Sequence, residues 1–206
     1  MLGNKINSMD LKEKNINHFA IKEAVFPFKR FTGVDTILGP EMRSTGKVMG
    51  IDKDFGMAFA KSQIGSGSRI PTEGSVFVSV KDSDKDKILN PVSDLYSLGF
   101  EIYATDGTAE FLNNNNIQTK KINKVLQGSP HIVEMISEKK ISLVLNTTET
   151  PQAIKDSKSI RRSALESETP YYTTVSGANA AVLAIKAIIN NEMNVKTIQS
   201  FGQSLS

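Results

Sequence analysis

Hydroxyl, amide and lysine side chains cluster in short turns that follow apolar, strand-like runs. One such turn contains Thr105, Gly107 and Thr108, at the junction between a strand-like run and a helical pattern. Gly107 permits a tight turn, and the free backbone N–H groups at a helix start attract anions. Lys85 and Lys124 close two further turns, and each could add a positive charge. These groups together suit the binding of a phosphate.

A further turn adds neutral hydrogen-bonding groups. Asn146, Thr147 and Thr148 follow the clearest strand pattern of the chain, at 141–146. With the anion-binding turns, they suit a phosphate carried on a hydroxyl-bearing sugar. The alternative is structural: Thr108 caps a helix, Asn146 holds a turn, and the lysines are solvated. The pattern alone leaves both interpretations open.

The sequence lacks the residue types or spacings that several other kinds of site require. The chain has no cysteine, which excludes thiolate nucleophiles and Cys-type zinc sites and is compatible with a reducing cytoplasm. His18 and His131 are far apart, and neither has a metal-ligand spacing, so we expect no metal site; His131 is expected to make a structural hydrogen bond at a helix start. No phosphate-binding loop of the Gly-x-x-x-x-Gly-Lys-Ser/Thr type is present.

Charge and hydropathy exclude other partners. The net charge is +3, without a block of five basic residues, so a nucleic-acid partner is not expected. No stretch approaches the length of a membrane span, and the N-terminus lacks the apolar run of a signal peptide. We therefore expect a cytoplasmic protein with no nucleic-acid and no membrane partner.

Strand and helix patterns alternate around these turns. Strand-like runs occupy 75–80, 101–105, 120–122, 141–146 and 171–175, and helical patterns occupy 84–98, 108–114, 130–138, 153–167 and 178–189. This alternation predicts βαβ units and a mostly parallel sheet covered on both faces, that is, an α/β fold. Ligands of such sheets bind at the carboxyl ends of the strands, where the polar turns would meet. A Gly-Ser-Gly-Ser run at 65–68 predicts a flexible connector upstream of the sheet.

Two stretches resemble the large subunit of carbamoyl-phosphate synthase. The run GPEMRSTG at 39–46, with IKEAVFPF at 21–28, closely resembles the tail of the second ATP-grasp half of that subunit. The second stretch resembles the methylglyoxal-synthase-like regulatory domain that ends the same subunit, through matches at 79–85, 104–109, 123–125, 130–132, 146–148 and 160–165. The matches follow the order of the family from about residue 1 to residue 190.

The resemblance implies a fold and a domain division. A short α+β remnant of an ATP-grasp domain would occupy residues 1–66, a linker 67–73, and a methylglyoxal-synthase-like parallel sheet flanked by helices 74–206. Because the bodies of both ATP-grasp units are missing, this part of an ATP-dependent ligase is expected to be inactive alone. ATP, magnesium and potassium ions would serve the complete subunit, and no cofactor is expected in this chain.

The resemblance also implies two ligand sites. The regulatory domain binds nucleotide effectors in arginine and pyrimidine biosynthesis, with UMP inhibiting and IMP competing in bacterial members. The implied nucleotide site consists of Lys85, Thr105, Thr108, Lys124, Asn146 and Thr148, with Ser79 beside it. The implied site for ornithine, an activator, consists of Glu23, Leu38, Tyr171 and Thr173. The implied partners are the remainder of the large subunit, the glutaminase small subunit and the small-molecule effectors.

The sequence departs from the family at two places. Pro151 and Gln152 stand where the family often has a pair of arginines, and Tyr172 stands where an acidic residue can occur beside the ornithine site. The missing arginines favour one alternative, an assembly module with a vestigial pocket. A second alternative is a free-standing methylglyoxal synthase, which needs a carboxylate base in a Gly-Gly-Asp turn; here 126–131 contain no acid, and the next one is Glu134.

Overall fold

The computed structural model describes residues 16–25, 46–123, 128–129, 131–148 and 157–203. The described chain begins with an antiparallel pair of strands, β1 (Phe19–Val25) and β2 (Gly46–Asp52), followed by helix α1 (Phe55–Gly65). The GPEMRSTG run lies outside the described residues except for its last residue, Gly46.

A five-stranded parallel sheet forms the larger part of the fold, as the alternating pattern predicts. Its strands are β3 (Ser75–Ser79), β4 (Glu101–Ala104), β5 (Thr119–Lys121), β6 (Leu143–Asn146) and β7 (Tyr171–Tyr172). The order across the sheet is β5-β4-β3-β6-β7, and every pair is parallel. The α/β expectation is therefore confirmed.

Helices connect and cover these strands. They are α2 (Lys85–Ser97), α3 (Asp106–Asn114), α4 (Ile132–Ser137), α5 (Lys158–Glu166) and α6 (Val175–Asn190), and a short α7 (Ile198–Gln203) follows. None of the helices within the described ranges has the length and apolar character needed to cross a membrane.

The side-chain alternation of the strands divides the core into two layers. On β3, Val76 and Val78 face a cluster that includes residues of α2, α3 and α6. Phe77, between them, faces the opposite cluster, which includes residues of α4 and α5. Successive residues of a strand point to opposite faces, so both faces of a central strand must be apolar when helices cover both.

The strand order creates a switch point between β3 and β6. From β3 the chain winds outward through β4 to β5, and it then crosses to β6 and winds outward to β7. Connections therefore leave the neighbouring strands β3 and β6 in opposite directions, which opens a crevice at their carboxyl ends. The polar turns at 79–85 and 146–148 both border this crevice.

The end of strand β7 differs from the sequence prediction. The predicted strand ran to Val175, but β7 ends at Tyr172 because Thr174 caps α6, its hydroxyl accepting a hydrogen bond from the Gly177 amide. The predicted helix at 153–167 is described only from Ser157 onward. Gly99 follows the end of α2: its φ is +90°, and the amides of Gly99 and Phe100 donate to the carbonyls of Tyr96 and Leu95.

Helix α1 packs between the β1–β2 pair and α6 through two glycines. A Cβ at Gly50 of β2 would lie 2.0 Å from the carbonyl oxygen of Ala58, so strand and helix backbones approach closely. A Cβ at Gly56 of α1 would lie 2.3 Å from the carbonyl oxygen of Leu183 on α6. The N-terminal elements are thus joined to the sheet domain through helix backbone contacts.

We expect Gly50→Ala to destabilise the chain because a methyl group there must displace the α1 backbone. Overpacking of this kind costs about 2 kcal/mol, which lowers the melting temperature by about 4–8 °C in a chain of this size. Gly46→Ala on the same strand is the matched control, since its Cβ would meet Val25 at an ordinary 3.5 Å. Equal melting temperatures for the two variants would contradict the close approach.

Candidate functional site

The ends of β3 and β4 are joined by hydroxyl hydrogen bonds. The hydroxyls of Ser79 and Thr105 share one at 3.2 Å, and the Val80 amide donates to the Thr108 hydroxyl at 3.3 Å. Thr105 and Thr108 are buried. Helix α3 begins at Asp106, two residues before the predicted start, so Thr108 lies inside its first turn and does not cap it. The predicted neighbours Thr105, Thr108 and Ser79 are therefore brought together.

Lys85 lies against the N-terminus of α3. A Cβ at Gly107 would lie 3.6 Å from the Lys85 ammonium, which places that charge beside the first helical turn. The ammonium also forms an ion pair at 2.8 Å with Asp82, whose side chain is exposed. Hydrogen bonding to Lys85 lowers the pKa of the Asp82 carboxyl below its usual value. The predicted cation is present, but a local carboxylate already contacts it.

The first turn of α3 has the properties of an anion-binding helix start. Thr105 occupies the N-cap position, yet its side chain makes no capping hydrogen bond. The first backbone N–H groups of a helix have no intrahelical acceptor, and the helix dipole places positive charge there. Here Thr108 and Ala109 bond to the Thr105 carbonyl, which leaves the Asp106 and Gly107 amides as the groups that a ligand can meet.

The end of β6 carries a buried polar cluster around Asn146. Asn146 is only 3% exposed, and its side-chain nitrogen donates to the Ser157 hydroxyl at 3.1 Å and to the Tyr171 hydroxyl at 2.6 Å. Burial raises the pKa of Tyr171, while hydrogen bonds from Asn146 and Arg161 and the positive charge of Arg161 oppose that rise. The Arg161 guanidinium thus lies beside the Tyr171 phenol, which contacts Asn146 at the end of β6.

The two threonines after Asn146 differ in their environments. Thr147 is buried and connects β6 to β3: its amide donates to the Ser79 carbonyl at 3.0 Å, and its hydroxyl accepts from the Lys81 amide at 3.1 Å. Thr148, the predicted site residue, is half-buried at the carboxyl edge of the sheet. Lys124, the second predicted cation, lies outside the described residues.

The residues implied for ornithine are distributed over two environments. The Glu23 carboxylate on β1 accepts a 3.0 Å hydrogen bond from Gln63, whose amide oxygen accepts from the Tyr172 hydroxyl at 3.3 Å. Burial, together with the charge of Glu23, raises the pKa of Tyr172 well above its usual value. Tyr171 extends its hydroxyl to Asn146 instead, Thr173 is exposed, and Leu38 lies outside the described residues.

His131 has the structural role that its position predicts. It caps α4: its Nδ1 accepts from the Glu134 amide at 3.4 Å, and the Glu134 carboxylate accepts from the His131 amide at 3.0 Å. Ser129 also donates to Glu134, at 2.9 Å. These hydrogen bonds lower the pKa of Glu134, with the His131 amide as the largest cause. In the parts of the chain that the structure describes, no three His, Cys, Asp or Glu side chains group as metal ligands.

Comparisons with known proteins agree with this architecture. Residues 87–173 match the MGS-like domain, a range that runs from within α2 to one residue beyond β7 and contains β4 to β7. The carbamoyl phosphate synthase large chain of Rhizobium meliloti is 53% identical over 91% of this chain, and that of Nostoc sp. is 45% identical over 98%. The chain is a relative of the carbamoyl phosphate synthase large chains and fits a C-terminal segment of that subunit.

The chain spans only 16% of the length of the Rhizobium meliloti large chain and 19% of the large chain of Pseudomonas putida, to which it is 43% identical over its whole length. A solved methylglyoxal synthase from Elizabethkingia anophelis aligns with 56% of this chain at a TM-score of 0.43 and 16% identity.

Two residues of these networks, Ser157 and Gln63, were not singled out from the sequence. Ser157 and Arg161 join the Asn146 cluster, and Gln63 links Glu23 to Tyr172. Arg161 and Arg162 are adjacent in sequence, but Arg161 is 9% exposed whereas Arg162 forms a surface ion pair with Glu166. The apolar partners Ile160 and Ala164 place Arg161 on the inward side of α5, and this spacing is the signal that could have separated the two.

A second cleft lies elsewhere on the molecule. It has a volume of about 390 Å³ and is lined by Lys53, Lys196, Thr197, Ser200 and Phe201. None of these residues belongs to the strand-end cluster, and the cleft is open to solvent. The buried Thr105, Thr108, Asn146 and Thr147 of the strand-end cluster therefore lie apart from this cleft.

We expect Thr108→Val to destabilise the chain because it leaves the buried Val80 amide without its acceptor. An unsatisfied buried donor costs about 1–3 kcal/mol, and thermal unfolding measures the loss. The control is Thr173→Val, which removes the same hydroxyl at an exposed position and should change stability by no more than about 0.5 kcal/mol. A Thr108 variant as stable as the Thr173 variant would show that this hydrogen bond does not hold the strand ends together.

Proposed function

We propose that this chain is the regulatory portion of a carbamoyl phosphate synthase large subunit and binds a nucleoside monophosphate at the carboxyl edge of β3, β4 and β6. The observation that carries this proposal is the convergence of three polar turns at the switch point of the sheet, with the Lys85 ammonium beside the α3 N-terminus. Ligands of open α/β sheets bind at such crevices. The relationship to the large chains supports the same conclusion.

The phosphate would occupy the space between Lys85 and the first turn of α3. The backbone amides of Asp106 and Gly107 and the helix dipole favour an anion there, and the Lys85 ammonium adds a full charge. Lys124 would supply a second cation, as the resemblance implies. The absence of the family's arginine pair at Pro151 and Gln152 leaves these two lysines to neutralise most of the phosphate charge.

The neutral groups would contact the rest of the nucleotide and the remaining phosphate oxygens. Thr105 and Thr108 follow β4, and Asn146 and Thr148 lie at or after the end of β6, so the four residues flank β3. The threonine hydroxyls can both donate and accept hydrogen bonds, whereas the Asn146 amide, whose two N–H groups donate to Ser157 and Tyr171, offers its oxygen as an acceptor. The hydrogen bond between the Ser79 and Thr105 hydroxyls and the one from the Val80 amide to the Thr108 hydroxyl hold two of these hydroxyls in place before any ligand arrives.

An ornithine-type effector would bind on the N-terminal side, near Glu23. The Glu23 carboxylate is half-buried and can receive an amino group, and Leu38, Tyr171 and Thr173 complete the set that the resemblance implies. Gln63 and Tyr172 already join this carboxylate to β7. In this proposal residues 1–66 are the ATP-grasp remnant, 67–73 the linker and 74–206 the allosteric domain.

The proposed partners follow from the same assignment. The remainder of the large subunit would supply the ATP-grasp bodies, with their ATP, magnesium and potassium ions, and the glutaminase small subunit would complete the enzyme of arginine and pyrimidine biosynthesis. A role as methylglyoxal synthase is disfavoured, because the carboxylate nearest in sequence to the required position, Glu134, is engaged by His131 and Ser129.

UMP or IMP should bind to the purified chain and release or absorb heat in a calorimeter. Lys85→Ala should weaken that binding by about one to two decades, because a charge-assisted hydrogen bond contributes about 1.5–3 kcal/mol. Lys87→Ala is the matched control: this lysine is exposed on the same helix, two residues away. No heat with either nucleotide on a folded sample would contradict the proposal and favour a vestigial assembly module.

Asp82→Asn should tighten nucleotide binding by about 1.5- to 5-fold. The carboxylate competes with the ligand phosphate for the Lys85 ammonium, and an exposed ion pair of this kind is weak, so the gain is small. Glu192→Gln removes the same charge beyond the far end of α6 and serves as the control. The gain should shrink at high salt. Weaker binding in the Asp82 variant would show that the carboxylate assists the site.

A further inference from the structure

We propose that Tyr171 is a positioning residue of the nucleotide site. Its hydroxyl accepts a buried hydrogen bond from the Asn146 side-chain amide and so holds that amide in the orientation that binds the ligand. This inference rests on the nucleotide site proposed above and adds to it a residue that the sequence resemblance associates with ornithine.

Adjacent tyrosines on β7 point to opposite faces of the sheet. Tyr171 packs against the cluster that contains Phe77 and Ile132, whereas Tyr172 packs against the cluster that contains Val76 and Ile185. This follows from strand geometry, in which consecutive side chains alternate. The two hydroxyls therefore reach different networks although the residues are neighbours in sequence.

The Tyr171 hydroxyl contacts the strand-end residue itself. It lies 2.6 Å from the side-chain nitrogen of Asn146, whose second contact is the Ser157 hydroxyl at 3.1 Å. Asn146 is in register with Ser79 on β3, so its side chain belongs to the strand ends that border the switch point. Arg161 hydrogen-bonds to the same phenol from α5. Tyr171 of β7 and Ser157 at the start of α5 thus converge on one amide.

A held amide binds a ligand better than a free one. The terminal torsion of an asparagine side chain is broad, so an unrestrained amide samples several orientations. Two hydrogen bonds to fixed hydroxyls restrict that torsion before the ligand arrives, which lowers the ordering cost of binding. Because burial raises the pKa of Tyr171, the phenol keeps its proton at neutral pH and the contact stays neutral.

The hydroxyl of Tyr172 performs no comparable task at this site. It donates to Gln63 at 3.3 Å, and Gln63 in turn contacts Glu23 on β1. The geometry therefore separates the two tyrosines. Tyr171 hydrogen-bonds to Asn146, and Tyr172 hydrogen-bonds to the N-terminal network of Gln63 and Glu23. This separation provides a matched pair of variants one residue apart.

The test compares Tyr171→Phe and Tyr172→Phe in the full chain by calorimetry with UMP and with IMP. Each change removes one oxygen and keeps the packed ring, and circular dichroism checks the fold. Tyr171→Phe should weaken binding about three- to tenfold, the effect of one hydrogen bond of ordinary strength. Tyr172→Phe should leave the affinity within about twofold, as expected for a change without contact to the site. Affinities reduced equally in both variants would show a general loss of structure and overturn the assignment.

A double-mutant cycle separates positioning from a structural effect. If Tyr171 acts through Asn146, Tyr171→Phe should cause no further loss of affinity in an Asn146→Ala background. Additive losses would overturn the proposal.

In the unmodified chain, NMR should also show slow solvent exchange of the Asn146 side-chain amide protons and a nuclear Overhauser contact from them to the Tyr171 ring. This measurement remains decisive if the Tyr171 variant fails to fold, because its absence overturns the contact.

The outcomes also distinguish this inference from the function on which it rests. A folded wild-type chain that binds neither nucleotide overturns the proposed function and this role together. Nucleotide binding that is unchanged in Tyr171→Phe overturns only the role of Tyr171. Binding that is weakened in Tyr171→Phe alone, with no further loss in the double variant, supports both.

Discussion

The parallel pairing of β3 with both β4 and β6 is the constraint on which the site depends. The register places Val78 beside Ala104 and Ser79 beside Asn146, so the polar residues that end these strands reach the same edge together. Residues far apart in sequence then share hydrogen bonds, such as the one from the Thr147 amide to the Ser79 carbonyl. The two apolar layers on either face fix this register, because a shift by one residue would turn Phe77 and Val78 to the wrong sides.

The N-terminal elements depend on a different constraint, the close approach of backbones around α1. Gly50 lets β2 approach one side of the helix, and Gly56 lets α6 approach the other. This double contact brings Glu23 and Gln63 next to the last strand of the sheet. Because α6 follows β7 directly, the helix that supports α1 is anchored at the same point where Tyr172 meets Gln63. Packing and the polar network therefore connect the same two parts of the chain.

Periodicity and turn residues were sufficient to predict the sheet and the residues at its carboxyl edge. The alternation of short β-branched runs with longer helical patterns gives the strand and helix order, and the strand-end rule then selects Thr105, Thr108 and Asn146. Partner choice was not predictable in this way. Whether Lys85 contacts Asp82, or Tyr171 contacts Asn146, depends on side-chain directions that only the folded backbone defines. The same limit applies to Arg161 and Arg162. They are adjacent on α5, yet Arg161 is buried whereas Arg162 lies on the surface.

The two tyrosines of β7 show how a strand of two residues can serve two networks of opposite charge. The phenol of Tyr171 lies beside the Arg161 cation, which opposes the effect of burial on its pKa, whereas the phenol of Tyr172 is influenced by the Glu23 anion, which adds to it. Each hydroxyl thus stays protonated at neutral pH while bonding to a different amide side chain, Asn146 or Gln63. A displacement of β7 along the sheet would alter both hydrogen bonds at once, since no intervening residue separates the two. The strand is therefore the shortest covalent connection between the strand-end cluster and the N-terminal network.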